Sequence, residues 1–319
     1  MYQKKAFVKA CVLVLTVTSL IYGCGSGSDS GSGSGSDSSS ENHVDGESRE
    51  TRTVFQLPEA SGENTTGNDS VSIDYSNISD GYFMVQYKGN ASKVKLQLTI
   101  PDGETVYTYT ITDHEFQTFP FSSGDGSYHL DVLENVKDNL YSLLFSTDFD
   151  VALTDELAPF LYPNQYSYFT EDNEAITYAV TLSEESSNDL DFVEQVYNYV
   201  IDNIVYDEEK AKDPPLDYVP DIDETMESGK GICFDYASLM TAMLRSQQVP
   251  TKLVVGYSGD AYHAWISVYI DEIGWVDNVI EFDGTDWSLM DPTLGANNSS
   301  DAVKEYVGDG SNYVVKYTY

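Results

Sequence analysis

Apolar residues follow a period of two through the first part of this chain and then lengthen it, and that change divides the chain into two kinds of structure. From residue 71 to about residue 153 the segments "YFMVQYK", "KVKLQLTI", "TVYTYTIT", "YHLDVLEN" and "LYSLLFSTDFDVAL" are short, β-branched and aromatic, with turn sequences such as "PDGE" and "SSGDGS" between them. Side chains two apart share one face of a strand, so these alternating segments predict an all-β sandwich. "YPNQYSYF" reads as a connector leading into one more strand. In "SNDLDFVEQVYNYVIDNIVYD" the spacing lengthens: Leu190, Val193, Val196 or Tyr197, and Val200 or Ile201 recur at three and four residues, which predicts an amphipathic helix opened by Asn188 or Asp189.

"EEKAKDPPLDYVPDIDETMES" follows as a loop with a Pro-Pro break, its acids a solvated face. Gly229 and Gly231 then supply permissive backbone, and Cys233, Ala237, Met240 and Leu244 form one stripe of a helix that stops before Pro250. "TKLVVGYS", "YHAWISVYI", "DWSLMDPT" and "SNYVVKYTY" read as strands, with "EIGW" as a turn. The expected layout is therefore multidomain α+β: a sandwich-like all-β domain over 70–160 and an α+β domain over 161–319.

The first residues carry a different message. Lys4, Lys5 and Lys9 precede an apolar run over 11–21 that is too short for an ordinary membrane span, the pattern of an export signal over 1–23. Ile21-Tyr22-Gly23-Cys24 resembles a bacterial lipobox, which implies a diacylglycerol anchor on Cys24 and an extracytoplasmic location at the cell surface. Tyr22 departs from the usual small or aliphatic residue, and an ordinary signal peptide followed by a chance cysteine is the alternative. The Gly/Ser/Asp-rich stretch after it, 24–69, offers little apolar surface to bury and reads as a flexible tether. About 30 such residues reach roughly 30 Å, enough to hold a domain clear of lipid headgroups.

With 53 acidic against 16 basic residues the net charge is -37, which repels phosphate backbones and excludes nucleic acid as a partner. Three cysteines occur: Cys11 lies in the leader, Cys24 is the lipidation candidate, and Cys233 has no partner left for a disulfide. An unpaired thiol in an oxidising compartment is a position to explain, although a free cysteine is also a common small core residue.

A thiol becomes a nucleophile when it ionises, and a helix N-terminus presents partial positive charge to the anion. An imidazole takes the proton, and a carboxylate on its far nitrogen fixes tautomer and orientation. His263 and Asp291 are the candidates, because His43 falls in the tether and His114 and His129 among the sandwich strands.

"GKGICFDYASLMTAML", "YHAWISVYI" and "LMDPT" together resemble the transglutaminase-like superfamily, over roughly 166–319. The resemblance implies a papain-like core with Cys233 as nucleophile, His263 as general base and acid, and Asp291 as orienting carboxylate. Tyr236 and Trp265 match aromatic positions that pack beside the Cys and His. It implies acyl transfer through a thioester on protein or peptide amides, with hydrolysis or cross-linking as the outcome. There is no Ca²⁺ loop of defined spacing, and no cofactor is expected. Two other readings stay open: a non-catalytic surface binding module whose papain-like half is an inert scaffold, and a dimer linked through Cys233.

Overall fold

A computed structural model describes residues 49–271, 273–277, 280–282, 287–289 and 313–319. The leader, Cys24 and Asp291 lie outside the described residues. The described residues all fall in one compact unit, Asp45–Tyr319.

The alternating half contains β1 (Thr65–Gly67), β2 (Val71–Asp74), β3 (Tyr82–Tyr87), β4 (Val94–Thr99), β5 (Val106–Ile111), β6 (Gln117–Pro120), β7 (Gly126–Lys137) and β8 (Leu140–Val151). These strands make two four-stranded antiparallel sheets, β1-β2-β3-β6 and β5-β4-β7-β8. Val94, Leu96 and Leu98 of β4 are buried while the residues between them are not, so the period of two becomes one inward face. Rings from the two sheets meet across the core: Phe83 lies 5.5 Å from Phe149, and Tyr109 lies 4.9 Å from Phe119. The expected sandwich is present, with β1, β2 and β6 added to the segments the alternation picks out.

The second half contains α1 (Glu174–Glu185), α2 (Asp189–Asn203), β9 (Val205–Tyr206), α3 (Glu208–Lys212), α4 (Ile222–Ser228), β10 (Lys230–Gly231), α5 (Cys233–Ser246), β11 (Thr251–Ser258), β12 (Ala261–Ile270), β13 (Gly274–Asp277), β14 (Ile280–Phe282), β15 (Trp287–Leu289) and β16 (Tyr313–Thr318). Strands β13-β12-β11-β16 form an antiparallel sheet, and α5 packs against β11, β12 and helices α1, α2 and α4. The fold is α+β.

Two local expectations fail for physical reasons. The strand expected after "YPNQYSYF" is helix α1: "EAITYAVTLSEE" is rich in β-branched residues, but Ala175, Ile176, Ala179 and Ser183 are buried at helical spacing against the helices beside it. Tertiary burial outweighs local β-propensity there. The loop expected over 208–228 contains α3 and α4, because Asp207 and Asp221 each accept hydrogen bonds from two backbone N–H groups of the following turn. Helix α2 opens at Asn188, whose side chain accepts from the Leu190 and Asp191 N–H groups.

Residues 49–69, read from composition as part of the tether, hold defined positions. Arg49 donates to Asp189 at 2.8 Å, to Ser183 and to the Gln247 carbonyl at 2.5 Å, with its guanidinium over the Phe192 ring. Composition registers apolar content and misses a guanidinium that docks by hydrogen bonds. The two halves also share side chains: the Thr318 N–H donates to the Tyr107 hydroxyl at 3.1 Å, and Tyr319 packs on Tyr107, Tyr109 and Tyr166.

Candidate active site

Cys233 is the first residue of α5, half-buried, and the described residues hold it as a free thiol. The chain reaches it by a tight route. Gly229 closes α4 in the left-handed region at φ 60°, and Lys230 and Gly231 pair in parallel with Val205 and Tyr206. A Cβ on Gly231 would sit 2.7 Å from the Asp235 Cβ, so only glycine lets α5 begin this close to its own third residue.

Asp235 has no exposed surface. Its Oδ2 accepts from the Ile232 N–H at 2.8 Å and lies 2.9 Å from Lys210 Nζ, while the Tyr218 hydroxyl donates to Oδ1 at 2.5 Å. Every strong partner a buried carboxylate requires is thus supplied by α3, the Pro-Pro loop and the helix N-terminus itself. Burial, and then the hydrogen bond to Asp235 and its charge, raise the Tyr218 phenol well above its usual range, so it remains a donor.

His263 lies on β12 opposite Gly256 of β11. Its ring stacks on Trp265 at 6.2 Å, and Trp265 packs edge-on against Tyr313 at 5.0 Å. Ala264, Ile266 and Val268, the alternate residues, join the apolar core with α5. Gly256 is required where it stands: a Cβ would come 2.0 Å from the Val314 carbonyl oxygen and 2.9 Å from the Trp265 ring. The Val255/Gly256 register shift against β16 occurs at this point.

Cys233 and His263 line the same cavity, of about 400 Å³. Its walls come from both halves of the unit: Thr108 of β5, Tyr166 of the connector, Pro214 and Pro215 of the loop after α3, and Tyr262 of β12. Burial, and after it the Tyr317 and Tyr257 phenols and Cys233, raise the Tyr262 phenol. The remaining described histidines have ordinary surroundings. His114 Nδ1 lies 2.9 Å from the Tyr87 carbonyl oxygen, and His129 sits among Asp148, Asp131 and Ser146 on the sandwich surface. Tyr236, beside the cysteine, is buried and donates to the Ile204 carbonyl at 2.5 Å, a packing role. Sequence reasoning does not reach Lys210, Tyr218 and Asp235. The one available signal is an acid three positions after the residue that precedes the helix, a pattern known to bind back to the N-cap N–H.

A half-buried thiol at a helix start and a strand histidine thus line one cavity, and the sequence model of the transglutaminase-like superfamily matches residues 176–278. The uncharacterized protein YebA of Bacillus subtilis (strain 168) is 30% identical over 121 residues, which cover 31% of this chain and 16% of YebA. This chain thus spans only a small part of that relative. Among solved structures, a candidate cysteine protease from Cytophaga hutchinsonii aligns at 14% identity over 80% of this chain and 73% of its own, with a TM-score of 0.37. Red sea bream transglutaminase aligns at 14% identity over 66% of this chain and 48% of its own, with a TM-score of 0.28.

Proposed function

We propose that this protein is a cysteine acyl-transfer enzyme acting on protein or peptide amides, with Cys233 as nucleophile and His263 as general base and acid. The observation that carries the reading is the shared cavity: the first residue of α5 and a histidine of β12 open into one space. In the reaction, His263 takes the Cys233 proton and Sγ bonds to the amide carbonyl carbon. The Cys233 backbone N–H, at the start of α5 ahead of the Asp235 and Tyr236 N–H groups that donate to the Ile232 carbonyl, is the oxyanion donor. Collapse breaks the C–N bond, the amine leaves with the proton from His263, and a thioester remains. Water or a second amine then attacks the thioester, its proton passing through His263 to the departing sulfur. The carboxylate orienting the imidazole is assigned to Asp291 on sequence order and spacing alone.

The reading is tested by alkylation of the full chain with iodoacetamide at mildly acidic pH. Cys233 should label rapidly, and both His263→Ala and Asp291→Asn should slow labelling. Equally slow labelling of all three proteins would leave an inert scaffold instead. Attachment to the outer face of a bacterial membrane through a lipid on Cys24 is part of the same proposal, supported by the leader sequence. Cys24→Ser should release the protein from the membrane fraction, and unchanged retention would remove the anchor from the reading.

A further inference from the structure

The cavity beside Cys233 has walls unlike the rest of this chain. The protein carries 53 acidic and 16 basic residues. Among the described residues that line the cavity there is no Asp, Glu, Lys or Arg, and seven are Tyr or Phe. Among the described residues, charged groups on the elements around it are already paired. Lys210 and Asp235 lie 2.9 Å apart with Tyr218 between them and the cavity, and Asp217 of the same loop lies 3.2 Å from Lys95 of β4. Phe234 packs on Tyr166 at 5.3 Å and on Tyr218 at 6.5 Å, so the residue after the nucleophile joins the connector and the Pro-Pro loop into one aromatic wall. A volume of about 400 Å³ is at the small end of ligand sites, which run to about 300–1,000 Å³.

We infer that this cavity receives an uncharged aromatic or large aliphatic side chain of the acyl donor, the side chain of the residue whose carbonyl Cys233 attacks. The inference rests on the acyl-transfer reading above. A ring or branched chain entering the cavity exchanges water for apolar wall and finds phenol edges to pack against. A carboxylate or ammonium entering it would lose its hydration, with no Asp, Glu, Lys or Arg among the described lining residues to replace it and His263 engaged with Cys233. Phe234, Tyr166 and Pro215 are thus specificity-determining, and the sandwich contributes through Thr108.

The experiment acylates the full chain with p-nitrophenyl esters of N-acetyl-Phe, -Leu, -Ala, -Asp and -Lys. It follows nitrophenol release and the mass of the Cys233 peptide. Phe and Leu esters should acylate Cys233 at least about 10-fold faster than the Asp and Lys esters, the discrimination one apolar group provides. Ala211→Glu, which places a carboxylate on the wall, should slow the Phe ester and speed the Lys ester. Equal rates for all five esters, or faster acylation by the charged ones, would overturn the apolar site while leaving Cys233 as a nucleophile. No mass change at Cys233 with any ester would overturn the acyl-transfer reading itself, and this site with it.

Discussion

The Asp235 carboxylate is buried three residues after Ile232 and accepts the Ile232 backbone N–H at 2.8 Å, tying the entry of α5 to its own first turn. Lys210 and Tyr218 complete the carboxylate's partners from outside the helix. Cys233 sits between the two ends of the tie. Asp235→Asn removes the charge that Lys210 faces and should destabilise the protein by about 3 kcal/mol, the lower end for a broken buried pair because Lys210 keeps some exposure to water. Urea unfolding measures this. In the Asp235→Asn/Lys210→Met double variant the losses should be less than additive, since the two side chains share one interaction.

Gly256 faces His263 across the β11–β12 pair, with β16 pressed against it. Gly256→Ala places a methyl 2.0 Å from a backbone oxygen, which cannot rotate away as a side chain can. The expected outcome is a loss of about 1–3 kcal/mol in stability, as for overpacking elsewhere. Because the strands must part at the histidine, Cys233 alkylation should slow as well. Paired thermal melts and iodoacetamide rates check the two effects separately, and an unchanged alkylation rate would mean that His263 is insulated from β16.

Patterns that repeat within one element were legible in the sequence, and contacts between distant elements were not. "TKLVVGYS" and "YHAWISVYI" are β11 and the main part of β12 because alternation and flanking turns are local properties. The stripe Cys233, Ala237, Met240, Leu244 is correct for α5 yet understates it: from Asp235 to Ser246 the whole helix is buried, because sheet and helices cover it on several sides. Helix α1 was hidden by its β-branched residues. The Arg49 anchorage joins residues 140 apart, and the partners of Asp235 come from a Pro-interrupted loop with no period to read. Of the candidate triad, Cys233 and His263 come to one cavity, and Asp291 lies outside the described residues.

His129 provides a pH-dependent observable on the sandwich. Its Nδ1 lies 2.7 Å from Asp148 Oδ1, and this hydrogen bond, with the Asp131 and Asp148 charges, raises its pKa against a smaller opposing effect of burial. A raised folded-state value means that protonation favours the native protein. That contribution is complete below the unfolded value of about 6.5 and is lost as pH rises through the folded value. NMR titration should place the His129 midpoint above about 6.5, and Asp148→Asn should bring it down. Both groups are well exposed, so the accompanying stability change should be small and weaken with salt.

Arg245, near the end of α5, is the largest of the fully buried side chains, and it donates to backbone oxygens and to the Ser167 hydroxyl. Its Nε and Nη2 donate to the Thr251 carbonyl at 2.9 and 2.6 Å, Nη2 also to the Tyr319 carbonyl at 2.7 Å, and Nη1 to the Tyr162 carbonyl at 2.8 Å. Burial pushes the guanidinium down to about 9, so it is still charged at neutral pH. The planar fork thus ties the helix end to β11, to the connector and to the chain beyond β16. Arg245→Met should cost about 1–3 kcal/mol for each buried carbonyl left without a donor. Lysine should do no better than methionine, because it keeps the cost of a buried charge and cannot direct donors to three separated carbonyls. Urea unfolding of the two variants decides the point: a Lys variant close to wild type would show that charge alone is required, and comparable losses in both would show that the fork is.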